Sequence, residues 1–146
     1  MILLTTKVLV QSLLDTIQDN EADFTLTFRG LCDAALNPEL EGSLRHLFKD
    51  AGAYDKWATN WRVRLPREAK APEGRVELMH QANHVIIPRN HRIEQAIEAA
   101  VDQEDYGPFE KLLEVLSSPY DELEELRKYM LPPKPEEHVL QTFCGT

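Results

Sequence analysis

Four side chains in this 146-residue sequence have types and spacings that could do chemistry: Cys32, Cys144, His80 and His84. Cys144 sits in the closing stretch Thr-Phe-Cys-Gly-Thr, where a frayed arm would give a thiol access to partners. Access is half of redox reactivity; the other half is a cationic neighbour that lowers the thiol pKa. The sequence leaves Cys144 open between a redox thiol and a bystander. Cys32 falls beside the apolar face of a helix, where a free cysteine behaves as a small hydrophobe. His80 and His84 are four apart and would share a helical face as a metal pair. No third ligand has motif spacing, and Glu77 is not in a His-Glu-x-x-His context, so no metal site is expected. Two cysteines without CxxC or Cys/His spacing make neither a disulfide framework nor a zinc site, and the thiols are expected reduced at rest.

The remaining catalytic patterns are missing. There is no GxGxxG or GxxxxGK[ST] loop for phosphates, no nucleophile framed by His and Asp, and no separable carboxylate pair. No catalytic or cofactor-binding residue is therefore named.

The elements that must position these residues read as helices. Ile93, Ala96, Ile97, Ala100 and Val101 follow i, i+3, i+4, i+7, i+8 spacing, and Phe109, Leu112, Leu113 and Leu116 repeat it. Two adjacent stripes of this kind are expected to bury each other. Pro88 fixes the preceding turn, Asn90 is the expected cap, and Gly107-Pro108 separates the two helices. Upstream, Thr5 or Thr6 caps a helix with stripe Val10, Leu13, Leu14 and Ile17. Asp23 caps a second, with Phe24, Phe28, Leu31 and Ala35 on one face. Asn37-Pro38 opens a third, expected to reach about Ala51 and bury Leu40, Leu44, Leu47 and Phe48 before Gly52 closes it. Tyr54, Trp57, Trp61 and Leu65 stripe a fourth that stops at Pro66, with stacked aromatics read as core. A loop follows near 66–74, then a short helix from Arg75 to Ala82. A last helix is expected from Tyr120 to Met130, and Pro132-Pro133-Lys134-Pro135 should end regular structure.

The expectation is an all-α fold, an irregular orthogonal bundle of seven or eight helices over residues 1–131, with an extended Pro-rich tail at 132–146. The chain length suits one core. No apolar run approaches the ~20 residues of a membrane span, and no export signal is evident, so no membrane association and a cytoplasmic location are expected. The net charge of -9 argues against nucleic acid as a partner. The charge is uneven: from Lys56 to Arg92 there are eight Lys/Arg against three Asp/Glu, and from Glu94 to Leu126 eleven acidic residues against Lys111 alone. The basic stretch is either a solvated loop region or a docking surface.

Several stretches then line up, in order, with one known family: Asp-Phe-Thr-Leu-Thr-Phe-Arg-Gly-Leu (Asp23 to Leu31), Asn83-x4-Pro88-Arg89-Asn90 followed by Gln95-Ala96-Ile97, Leu-Leu-Glu-Val-Leu-Ser-Ser-Pro-Tyr (Leu112 to Tyr120), Pro132-Pro133, and Cys144-Gly145-Thr146. The chain resembles the C-terminal portion of the selenoprotein O family, kinase-like enzymes that transfer AMP from ATP to protein hydroxyls. The resemblance implies that ATP and Mg2+ belong to a catalytic part outside these residues, with no cofactor in this chain. It also implies that Arg89 and Asn90 brace the kinase-like lobes. Cys144 occupies the position of the family's selenocysteine and is implied to form a redox-sensitive disulfide with a cysteine of that absent part. Asn83-His84 replaces the commoner Asn-Pro, and Pro88 stands where many members have another residue.

The expected function is thus a supporting and regulatory helical domain, not an enzyme by itself, with the kinase-like lobes or another protein as partner. An exposed apolar surface could also make a homodimer. Alternatives are a free-standing helical interaction module and a small thiol redox protein using Cys144.

Overall fold

A computed structural model describes residues 5–142. Among them are eight α-helices and no strand: α1 (Thr6–Asp19), α2 (Phe24–Leu36), α3 (Gly42–Arg45), α4 (Ala51–Arg64), α5 (Pro72–Ala82), α6 (Asn90–Gln103), α7 (Gly107–Leu116) and α8 (Arg127–Met130). The all-α expectation holds. The helices form two compact units that divide between Asn83 and His84. Where chain length suggested one core, buried side chains gather in two clusters, one per unit.

In the first unit, α1 packs on α4 and α2 on α5. The caps are those the sequence names: Thr5 Oγ1 accepts from the Val8 N–H, and Asp23 Oδ1 from the Leu26 N–H at 2.8 Å. The α1 stripe is shifted from expectation. Leu9, Leu13 and Ile17 are buried while Val10 is half exposed, because an i, i+4, i+8 row lies along the α4 contact. Trp57 fixes that register by donating its indole N–H to the Leu9 carbonyl at 3.0 Å. Tyr54 and Trp57 are core, as the aromatic stripe implied, and Trp57 stacks on Trp61.

The third expected helix does not run to Ala51. A 3-10 turn at Pro38–Glu41 leads into the single-turn α3, and the chain then bends before α4. Asp50 is the reason: its carboxylate accepts from the Gly52 N–H at 2.8 Å and starts a new helix there. Gly52 therefore lies inside α4 rather than closing a helix. Leu40 lies in the 3-10 turn and is 48 % exposed, while Leu44 in α3 is buried at 1 % exposure; Phe24, at the start of α2, is also exposed. Pro72 at its first turn lets α5 begin three residues before the expected Arg75.

In the second unit, α6 packs on α7. Glu104 makes the turn between them in the left-handed region at φ 53°, with the Asp105 N–H returning to the Ala99 carbonyl at 3.0 Å. Arg89, not Asn90, is the N-cap residue of α6, and Asn90 is its first helical residue, because the extended geometry before the helix persists one position past Pro88. The last expected helix shrinks to a 3-10 turn at Glu124–Leu126 followed by α8. Pro119 lends its carbonyl to both the Val85 and Ile86 N–H groups, at 2.9 and 3.1 Å, and the repelling Asp121, Glu122, Glu124 and Glu125 follow it. The tail is not wholly irregular either. Pro135–Glu137 forms a 3-10 turn in which the Glu137 carboxylate accepts from the Lys134 N–H at 2.9 Å.

Leu40 and Leu44 are equivalent in the sequence stripe but not in the fold. Leu44→Ala is expected to cost about 3 kcal/mol in urea unfolding followed by tryptophan fluorescence, and Leu40→Ala less than about 1 kcal/mol. Equal losses would mean that Leu40 is buried like Leu44 and that the 3-10 turn and α3 form one continuous helix.

Candidate functional site

The segment entering α6 is where chemistry-bearing residues concentrate in the second unit. Val85 and Ile86 are buried and tied to Pro119, which holds the strand-like approach rigid. His84 leaves that approach on the surface, its Nε2 2.7 Å from the Tyr120 hydroxyl with the rings 4.5 Å apart. Arg89 then turns inward and is buried, its Nη2 donating to the Met130 carbonyl at 2.9 Å. Arg92, one turn on, donates from Nη2 to the Lys128 carbonyl at 2.9 Å and from Nη1 to Gln95 at 2.9 Å. A single-turn helix leaves its last carbonyls without internal partners. The two guanidinium groups supply the donors that α8 lacks.

Asn90 is exposed and lines a recess of about 360 Å3 with His91, Pro133, Glu137 and His138. His91 is 3 % exposed, and neither ring nitrogen has a hydrogen-bond partner among the described residues. Burial holds its pKa below the ordinary histidine value, and the adjacent Arg92 charge adds to this. Glu137 places a carboxylate on the same recess.

α5 ends at Ala82, so His84 does not share its helical face with His80. His80 ends in α5 with its Nε2 3.4 Å from Asp33, whereas His84 lies past the helix end and meets Tyr120. Among the described residues no group of three His, Cys, Asp or Glu side chains is placed to hold a metal ion.

Cys32 is fully buried in the first unit, its Sγ donating to the Phe28 carbonyl at 3.4 Å, with the Asn83 amide 3.9 Å away. Burial pushes the thiol up to about 11, far from the range of a reactive cysteine. Cys144 lies outside the described residues.

Several of the residues in the basic Lys56 to Arg92 stretch are engaged inside their own units. Arg62 pairs with the buried Glu41, Arg64 with Glu68, and Arg75 donates to the Leu65 carbonyl at 2.6 Å. Lys56, Arg67 and Lys70 are exposed. The expectation that the α6 and α7 stripes bury each other is met only in part. Ala96, Ala99, Leu112 and Val115 are buried, while Ile97, Val101, Phe109 and Leu113 stay 48–73 % exposed and give this helical pair an apolar outer face.

Against known proteins, residues 3–117 match the family of protein adenylyltransferase SelO. The chain belongs to that family. The protein nucleotidyltransferase YdiU of Rhodopseudomonas palustris is 49 % identical over 138 residues, and that of Bradyrhizobium sp. is 50 % identical over the same length. The Rhizobium etli protein of the same name is 49 % identical. Each match covers 94 % of this chain and 28 % of the relative, so the chain spans a little over a quarter of the length of these curated relatives. The family resemblance read from the motifs is thereby shown. Arg92 and the buried His91 were not singled out by sequence; an arginine three residues after Arg89 was the available signal for the former, and no pattern marks the latter. Among the described residues no helix is long and apolar enough to cross a membrane.

Two outcomes follow from this geometry. Arg89→Met leaves the buried Met130 carbonyl without this donor and is expected to cost about 2 kcal/mol or more in urea unfolding, against about 1 kcal/mol or less for the more exposed Arg92→Met. Cys32, mapped by mass spectrometry after iodoacetamide treatment at about pH 8.5, is expected to stay unmodified in the native chain and to label fully in urea. Because its folded pKa is raised from 9.0 to about 11, its contribution to stability is intact below pH 9 and is lost as the pH rises toward 11.

Proposed function

We propose that this chain acts as a non-catalytic helical part of a SelO-type protein nucleotidyltransferase, supporting catalytic lobes supplied by the rest of a longer protein. The observation that carries the reading is the 94 % coverage of this chain against 28 % of its relatives, joined to a sequence without a phosphate-binding glycine loop. ATP and Mg2+ would be held by those lobes. We assign no step of transfer to this chain's residues; among the described residues no group of three His, Cys, Asp or Glu side chains is placed for an ion.

The outer face of α6 and α7 is the surface we assign to the lobes. Exposed Ile97, Val101, Phe109 and Leu113 are costly to leave in water and form an apolar area suited to a permanent contact. The occupant is the polypeptide that accounts for the greater length of the relatives. Arg89 and Asn90 belong to the element that would brace it, with Arg89 acting through α8 and Asn90 from the surface. Cys144 is proposed as a regulatory thiol of the assembled, cytoplasmic enzyme, a reading that rests on the family resemblance. The same apolar face favours a second reading, a free-standing interaction module or a homodimer.

Incubation with ATP or UTP labelled at the α-phosphate, Mg2+ or Mn2+ and a generic acceptor protein tests the assignment. The chain alone should transfer no label, while a full-length relative should label itself or the acceptor. Transfer by the 146 residues alone would overturn the division of labour. When the remaining part of a relative is supplied in trans, it should co-purify with this chain and lose it on Ile97→Asp with Leu113→Asp. Retention by that double variant, with monodisperse light scattering before and after, would remove the α6–α7 face from the interface.

A further inference from the structure

The second unit is strongly acidic, yet three of its cations surround one recess. Arg92 of α6, Lys111 of α7 and Lys128 of α8 line a cavity of about 370 Å3, together with Gln95, Gly107 and Tyr129. No carboxylate lines it. Tyr129 is buried and forms an aromatic wall, with Lys128 Nζ 5.0 Å and the Arg92 guanidinium 5.9 Å from its ring centroid. Lys111 is the single cation between Glu94 and Leu126, and the fold brings it to the Arg92 and Lys128 side of the unit.

Carboxylates stand just outside. Glu114 pairs with Lys111 at 2.9 Å, and Asp105 accepts from the Gly107 N–H at 2.9 Å, so α7's first turn is already occupied. Arg92 spends both Nη groups on Gln95 and Lys128 carbonyl contacts, leaving its Nε buried without a hydrogen-bond partner. Arg92 is thus held by the fold, Lys111 meets the recess already paired with Glu114, and Glu125 and Glu137 lie near enough to act on Lys111 and Arg92. Lys111 and Lys128 are exposed and able to turn toward a ligand.

We propose that this recess binds a small phosphate-bearing anion. A multiply charged anion engages all three cations at once, whereas a monocarboxylate satisfies one. The cavity has the volume of a small-molecule site. The chain's net charge of -9 and the acidic faces of α6 and α7 repel an extended polyanion, so nucleic acid does not compete for it. The site does not depend on the catalytic partnership proposed above.

Inorganic tripolyphosphate is the probe, titrated into the 15N-labelled full chain with sulfate and acetate as comparisons. The amides of Gln95, Gly107, Lys111 and Lys128 should shift saturably, with tripolyphosphate binding tightest and acetate weakest. Lys128→Glu should weaken binding about ten-fold or more, equivalent to roughly 1.4 kcal/mol, and Lys111→Gln should weaken it by a smaller factor. Lys49→Glu, at a surface lysine of the first unit, should leave it unchanged. Circular dichroism of each variant establishes that the helices are intact. Non-saturating shifts spread over surface lysines, or equal loss with Lys49→Glu, would identify general charge screening and overturn the proposal, as would unchanged affinity in a folded Lys128→Glu.

Discussion

Orphan carbonyls at helix ends are a constraint on which both units depend, and at the ends of α5 and α8 arginine meets it. Every α-helix leaves its last carbonyls unpaired, and burying them without a donor costs about as much as a lost hydrogen bond. In the first unit Arg29 is buried, and its Nη1 donates to the His80 carbonyl at 3.3 Å and the Asn83 carbonyl at 3.1 Å, closing the end of α5. In the second, Arg89 and Arg92 close the end of α8. Guanidinium suits this work because its donors fan out in one plane and its charge survives burial. Each arginine also crosses a long stretch of sequence, so it ties together helices that local propensity alone would leave unrelated.

This accounts for the placement of polar groups inside otherwise apolar clusters. Arg29 runs beside Cys32 on α2, and the positive charge opposes the desolvation that raises the thiol pKa without overcoming it. Glu41, almost fully buried, is answered by Arg62, and Tyr54 nearby is held as a neutral phenol, chiefly through its own burial. Buried charge is kept only where a partner is built in. Asp55, by contrast, pairs with Arg45 at the surface, and that contact holds its carboxyl below the usual range. An exposed pair of this kind orders α3 against α4 more than it stabilises them.

A chain that spans 28 % of its relatives' length retains two small cores and an apolar outer face on α6 and α7. That face explains why two strong sequence stripes are only half used by the described fold. Helical periodicity reports that a residue will be buried against something; it does not say whether the cover is the neighbouring helix or another body.

The sequence by itself determined the helical class, the caps at Thr5 and Asp23, the aromatic core at Tyr54 and Trp57, and the family, because spacing, capping chemistry and ordered motifs act over short distances along the chain. It did not determine the break between α3 and α4, where one Asp50 carboxylate overrides a continuous apolar stripe, nor the reduction of the last helix to one turn beside Pro119. Arg89 was legible as part of a motif, but its carbonyl partner forty-one residues away was not. The convergence of Arg92, Lys111 and Lys128 was equally hidden. Charges on three separate helices become neighbours only when tertiary packing sets the rotation of each helix, and nothing in the local sequence encodes that rotation.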